Sequence, residues 1–135
     1  MPRYPALFQT VLDTEDAREL AEFYRQLLGL AYRAGDEPDA TQSERDWLVL
    51  VDSGGGRALA FQQVVSLQRT TWPASGVPMQ LHLDMTVPDV SELHEQRRRA
   101  EVLGAQLLLD RSTDPDEPLY VFSDPAGHPF CVFVH

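Results

Sequence analysis

The order of secondary-structure signals in the first half of this chain recurs in the second, and that recurrence limits the fold more than any other feature. Residues 7–12 read as a strand and Asp13 to Asp16 as a capping cluster. Leu20, Phe23, Tyr24, Leu27 and Leu28 then form the apolar stripe of a helix ended by Gly29. A short strand at 30–33, a polar and turn-rich loop at 34–45, read as mobile, and a hairpin of strands 47–51 and 58–65 follow. Beyond a linker containing Trp72, Pro73, Gly76 and Pro78 the sequence begins again. A strand at 79–87 leads to a helix at about 90–103, capped by Asp89 or Ser91 and stopped by Gly104. A strand at 105–109, a loop at 110–118 and a hairpin of strands 119–123 and 130–134 complete the second round.

The register of the repeat can be read directly. Asp16 matches Asp89, Leu20 matches Leu93, and Leu28-Gly29 matches Leu103-Gly104; with the helix starts aligned, Gln9 falls opposite His82. At 135 residues the chain is one α+β domain of two βαβββ modules, 5–66 and 79–135, joined by a linker at 67–78. Neither half-sized module buries a sheet face alone. The two are therefore expected to pair into a curved mixed β-sheet, with helices outside and a central cleft.

The strand at 79–87 points to where that cleft has its floor. Met79, Leu81, Leu83, Met85 and Val87 alternate with Gln80, His82, Asp84 and Thr86, the period of a strand with one face in an apolar core. The polar face lacks the Lys, Glu and Arg that usually cover a solvated sheet, and offers an amide, an imidazole and a carboxylate in a row. His82 is the candidate catalytic or orienting residue, while Gln80 and Asp84 are candidate ligand contacts. Trp47 and Trp72 each either line an aromatic wall of the cleft or close the core, and for Trp47, within a strand run, core packing is the stronger reading. Gln62 or Gln63 must turn inward, where an amide left unpaired costs about 1–3 kcal/mol. Cys131, in the buried pattern Phe130-Cys131-Val132, fits a small apolar filler better than a nucleophile.

Composition removes several chemistries. A net charge of −10 opposes binding to nucleic acid or anionic membranes. The absence of lysine excludes Schiff-base and Walker-type phosphate chemistry. One cysteine permits no internal disulfide and suits a reducing cytoplasm. Met1 to Pro5 lacks a signal-peptide stretch, and no apolar run is long enough to span a bilayer. Gly54-Gly55-Gly56 precedes no helix, so it is a hairpin tip rather than a phosphate cradle. Arg97, Arg98 and Arg99 lie at helical spacing from Glu92, Glu95 and Glu101, a solvated face with ion pairs.

Three separated motifs, Trp72-Pro73, Gln80-Leu81-His82-Leu83-Asp84 and Asp124 to Cys131, occur in order within this duplicated frame. In them the chain resembles the vicinal oxygen chelate superfamily, which groups glyoxalases, bleomycin-resistance proteins and extradiol dioxygenases. The resemblance covers nearly the whole chain and implies the glyoxalase/bleomycin resistance/dioxygenase fold. It also implies metal ligands on the first and last strand of each module. Position by position these are Gln9 and His82, which can coordinate a divalent cation, and then Cys131 and Leu59 or Ala60, where the family carries glutamate. The set is incomplete: a hard divalent ion needs anionic donors. Asp84 stands roughly 7 Å along the strand from His82, long for joint chelation unless both side chains lean inward. No cofactor is expected, a divalent metal being the alternative the resemblance leaves open. The leading expectation is a protein that binds a small, partly apolar molecule in a cleft lined by Gln9, Gln62, His82 and Cys131. The rival is a metal-dependent lyase, isomerase or dioxygenase using Gln9 and His82. By resemblance the chain forms a homodimer.

Overall fold

The structure, a computed structural model, describes residues 3–38 and 46–135. It is an α+β fold of two compact units, Met1–Ser66 and Leu67–His135, each carrying one helix and one four-stranded mixed sheet.

The first unit runs β1 (Thr10–Thr14), α1 (Ala17–Leu28), β2 (Ala31–Tyr32), β3 (Trp47–Val51) and β4 (Arg57–Gln63). Its sheet has the order β1-β4-β3-β2, with β1 parallel to β4 and the other pairs antiparallel. The second unit repeats this with β5 (Leu83–Val87), α2 (Val90–Leu103), β6 (Gln106–Arg111), β7 (Leu119–Ser123) and β8 (Pro129–Val134). Its order is β5-β8-β7-β6, again with the first strand parallel to the last. The twofold βαβββ pattern of the sequence is thus the pattern of the fold.

Both helices begin and end as their sequences dictate. The Asp16 carboxylate accepts the Glu19 N–H at 3.1 Å and that of Asp89 accepts Glu92 N–H at 2.8 Å. Gly29 and Gly104, both at positive φ, stop them. The stripe of α1 packs Leu20, Phe23, Tyr24 and Leu27 onto β3 and β4, with the Tyr24 ring stacked on Phe61 at 6.0 Å. In the second unit Phe122 and Phe130 stack at 5.1 Å beside buried Leu93 and Ala100. Each such buried ring or leucine contributes roughly 1.5–3 kcal/mol through removal from water. On α2, Arg97 pairs with Glu101 at 2.7 Å and Arg98 with Glu95, the solvated face expected.

Several boundaries differ from the sequence reading. The first strand is 10–14 rather than 7–12, because its partner β4 starts at Arg57 and gives Thr10 its first mate, Leu59. Leu7 and Phe8 are exposed, and Asp13 and Thr14 belong to the strand, leaving Asp16 alone as the cap. The strand expected over 79–87 covers only Leu83–Val87. Its partner β8 begins at Pro129, which has no N–H to give, so 79–82 have no ladder to join. Leu81, expected in the core, is exposed. β6 extends through Asp110 and Arg111 into the expected loop. Of the loop at 34–45, residues 39–45 lie outside the described residues. At its start Asp36 is buried, accepting the Val49 N–H at 2.9 Å and pairing with Arg33 at 3.0 Å.

The two hairpins share one turn. The Asp52 carboxylate accepts the N–H groups of Gly54 and Gly56, both at 2.9 Å, and Asp124 accepts those of Ala126 at 2.9 Å and His128 at 3.0 Å. Gly55 and Gly127, each three residues after the aspartate, take positive φ. The N–H groups of Gly54 and Gly56 are therefore spent on their own carboxylate, as a hairpin tip requires. Arg69 ties the linker to the second tip, donating to the Pro125 carbonyl at 2.8 Å.

Candidate functional site

The polar residues singled out around β5 do meet. His82, one residue before β5, places its Nε2 3.2 Å from Asp84 Oδ1. Asp84 lies opposite Cys131 in the parallel β5–β8 ladder. One donor atom from each of His82, Asp84 and Cys131 falls within 4.8 Å of the others. The backbone spacing alone would have kept His82 and Asp84 apart; the side chains lean together, helped by His82 lying outside the regular ladder.

The three differ in setting. The side chains of His82 and Asp84 are 41% and 57% exposed, while Cys131 is half-buried. Burial pushes the Cys131 thiol up to about 11, with the charge and hydrogen bond of Asp84 acting in the same direction. The free thiol stays protonated at neutral pH, so it is a poor nucleophile as it stands. Gln80 is exposed and outside any strand.

In the first unit the expected residues go to two places. Gln9, half-buried before β1, is engaged: its Oε1 accepts a hydrogen bond from Arg57 Nη1 at 2.8 Å. That guanidinium also lies over the Phe8 ring at 4.4 Å. Leu59 and Ala60, the last-strand positions, are buried and offer no donor side chain. Trp47 and Gln62 are cross-strand neighbours and line an open hollow of ≈ 710 Å³ together with Glu15, Asp46 and Gln63. The Gln63 amide oxygen accepts the Ala17 N–H at 3.1 Å, finishing the start of α1; Gln62 and Gln63 both line the hollow and both are exposed, so neither amide turns inward as the sequence suggested. Trp72 is half-buried in the linker, its backbone N–H donating to the Thr70 hydroxyl oxygen at 3.1 Å, and neither lines the hollow nor joins the cluster.

Sequence reading missed Arg57, Glu15 and Asp46. Nothing in periodicity marks Arg57 as the partner of a glutamine 48 residues away. The pairing of Asp84 with Cys131 was accessible, since aligning β5 and β8 in parallel places them opposite. The second unit also holds a polar contact that the sequence did not suggest: His94 Nδ1 and the Tyr120 hydroxyl are 2.8 Å apart, with Arg97 stacked over the same ring.

A family model described as a glyoxalase-like domain matches residues 9–133. A search of the curated proteins finds none that matches. Among solved structures, a glyoxalase/bleomycin resistance protein/dioxygenase family enzyme from Burkholderia phytofirmans PsJN is 16% identical with a TM-score of 0.68, over 94% of this chain and 96% of that one. The fosfomycin resistance protein FosX from Listeria monocytogenes, complexed with Mn(II) and sulfate, is 17% identical with a TM-score of 0.67, over 98% and 93%. A possible glyoxalase from Bacillus cereus gives 16% and 0.64, over 94% and 96%. At these identities the likeness is one of fold. No described helix is long and apolar enough to cross a membrane.

Proposed function

This chain belongs to the glyoxalase-like domain family, and from that premise we propose that it binds a small, partly apolar molecule, with His82 as the polar group that recognises it. The observation that carries this reading is the convergence of His82, Asp84 and Cys131 at an accessible part of the second unit. Asp84 holds the imidazole in one orientation, and Cys131 provides a neutral, weakly polar neighbour.

The test is a thermal-shift screen of small organic acids, amides and aromatic compounds in the presence of EDTA. A hit that stabilises the native chain and is lost in His82→Ala supports the reading. A hit whose shift is unchanged in His82→Ala removes His82 from the site, and a broad screen without hits overturns the proposal. The reading includes a homodimer in the cytoplasm; light scattering on the purified protein checks the first and fractionation the second.

A second reading, a metal-dependent lyase, isomerase or dioxygenase, is favoured by the presence of nitrogen, oxygen and sulfur donors in that cluster. It differs from the expected set, because the carboxylate comes from Asp84, and the oxygen of Gln9 is already held by Arg57. A bound divalent ion would supply Lewis acidity there. His82 and Asp84 would hold it from the exposed side and Cys131 from within.

A further inference from the structure

We infer that the open hollow at the end of the first unit's sheet is a site for an organic ammonium ion carrying an apolar body. This goes beyond the reading centred on His82 and does not depend on it. The backbone builds the hollow first. The Val64 N–H donates to the Thr14 carbonyl at 2.8 Å and the Gln63 N–H to the Asp46 carbonyl at 2.8 Å, so the end of β4 is held between the end of β1 and the start of β3. Glu15, just past the first anchor, and Asp46, at the second, are thereby rooted on opposite sides of β4. Two strand spacings, about 9–10 Å, separate them along the sheet. Trp47 and Gln62 are directly opposed in the β3–β4 ladder and so share a face. The volume they help enclose, ≈ 710 Å³, falls within the range of about 300–1,000 Å³ usual for small-ligand sites.

Side-chain chemistry sets the class of ligand. Two carboxylates, an indole, two amides and two valines line the hollow; among the described residues no Arg or His does, and the chain contains no lysine. Such a lining favours a cation, and a net charge of −10 draws cations toward it. The half-buried indole of Trp47 attracts an ammonium group over its ring face. Val64 and the fully exposed Val65 offer apolar surface that a hydrocarbon body covers. A bare metal ion is a poor match. Two carboxylates rooted that far apart, with no third anionic donor in the lining, do not supply the several oxygens such an ion needs.

The experiment titrates the whole chain with three probes of one skeleton, 2-phenylethylamine, 2-phenylethanol and phenylacetate, and follows binding by calorimetry. The amine should bind, the alcohol at least about tenfold more weakly for want of the ionic attraction, and phenylacetate not at all. Added salt should weaken the amine. Glu15→Gln and Asp46→Asn, at exposed positions, should each weaken the amine and leave the alcohol unchanged, whereas Trp47→Leu should weaken both. Circular dichroism confirms that each variant folds. An amine that does not bind, an alcohol that binds as well as the amine, or amine binding that survives all three substitutions overturns the inference.

Discussion

Nε2 of His82 lies 3.2 Å from Oδ1 of Asp84, two residues further along the chain. Both side chains are substantially exposed, so the pair belongs to the class of surface contacts worth about 0–1 kcal/mol to stability. Its value is positional: it fixes which way the imidazole presents itself beside Cys131.

Asp84→Asn should accordingly leave stability almost unchanged while weakening the ligand found by the screen about tenfold, the cost of roughly 1.4 kcal/mol of lost orientation. Urea unfolding and ligand titration of the same preparation separate the two effects. A large fall in stability with unaltered affinity would mean that the carboxylate serves the fold.

Cys131 in the metal-free chain should react slowly with iodoacetamide at neutral pH and accelerate only as pH climbs toward about 11, the value to which burial and then Asp84 push its thiol. The sign follows from the thiolate being the reactive form. Asp84→Asn removes the secondary cause and should shift the rise to lower pH without restoring an ordinary thiol, because burial remains. Mass-spectrometric alkylation rates across pH check both points. Fast labelling of the native protein at pH 7 would contradict the burial seen here.

Phe122→Ala removes a fully buried ring stacked on Phe130 and should cost about 3–5 kcal/mol by transfer and cavity terms together. Urea denaturation followed by circular dichroism measures it. A loss below about 1 kcal/mol, the range of exposed substitutions, would show that the second core is not packed as described.

The matching turns offer an internal control. Asp124 is buried and Asp52 exposed, yet each accepts two N–H groups at its hairpin tip. Asp124→Ala should therefore cost about 1–3 kcal/mol by stranding donors away from water, and Asp52→Ala distinctly less, because solvent replaces its carboxylate. Equal losses in thermal unfolding would argue that burial does not set the difference.

The legible parts of the sequence were those governed by local rules. Asp16, Gly29, Asp89 and Gly104 bracket their helices as expected, and Trp47–Val51, Val90–Leu103 and Leu119–Ser123 have the boundaries read from pattern alone. Strand ends set by a distant partner were not legible. Leu7 reads as the start of a strand and Leu81 as a core residue by alternation, but both lie beyond the point where β4 and β8 begin. For the site, His82, Asp84 and Cys131 were each identified, while their meeting depended on side-chain lean that spacing cannot supply. Gln9 was chosen for its chemistry; only the fold reveals that Arg57 occupies its oxygen.

Within the described residues of each unit the opening strand pairs with the closing one, Thr10 with Leu59 and Leu83 with Phe130. Such pairing defers the reward for ordering the first strand until a long loop has closed, which slows folding relative to a chain of local hairpins. A nascent chain on the ribosome therefore carries β1 or β5 as an unsatisfied ribbon until the last residues of that repeat emerge. Trimming the carboxyl end into β8 strips β5 of its mate as well, so shortened versions should lose the second repeat as a block rather than fray gradually.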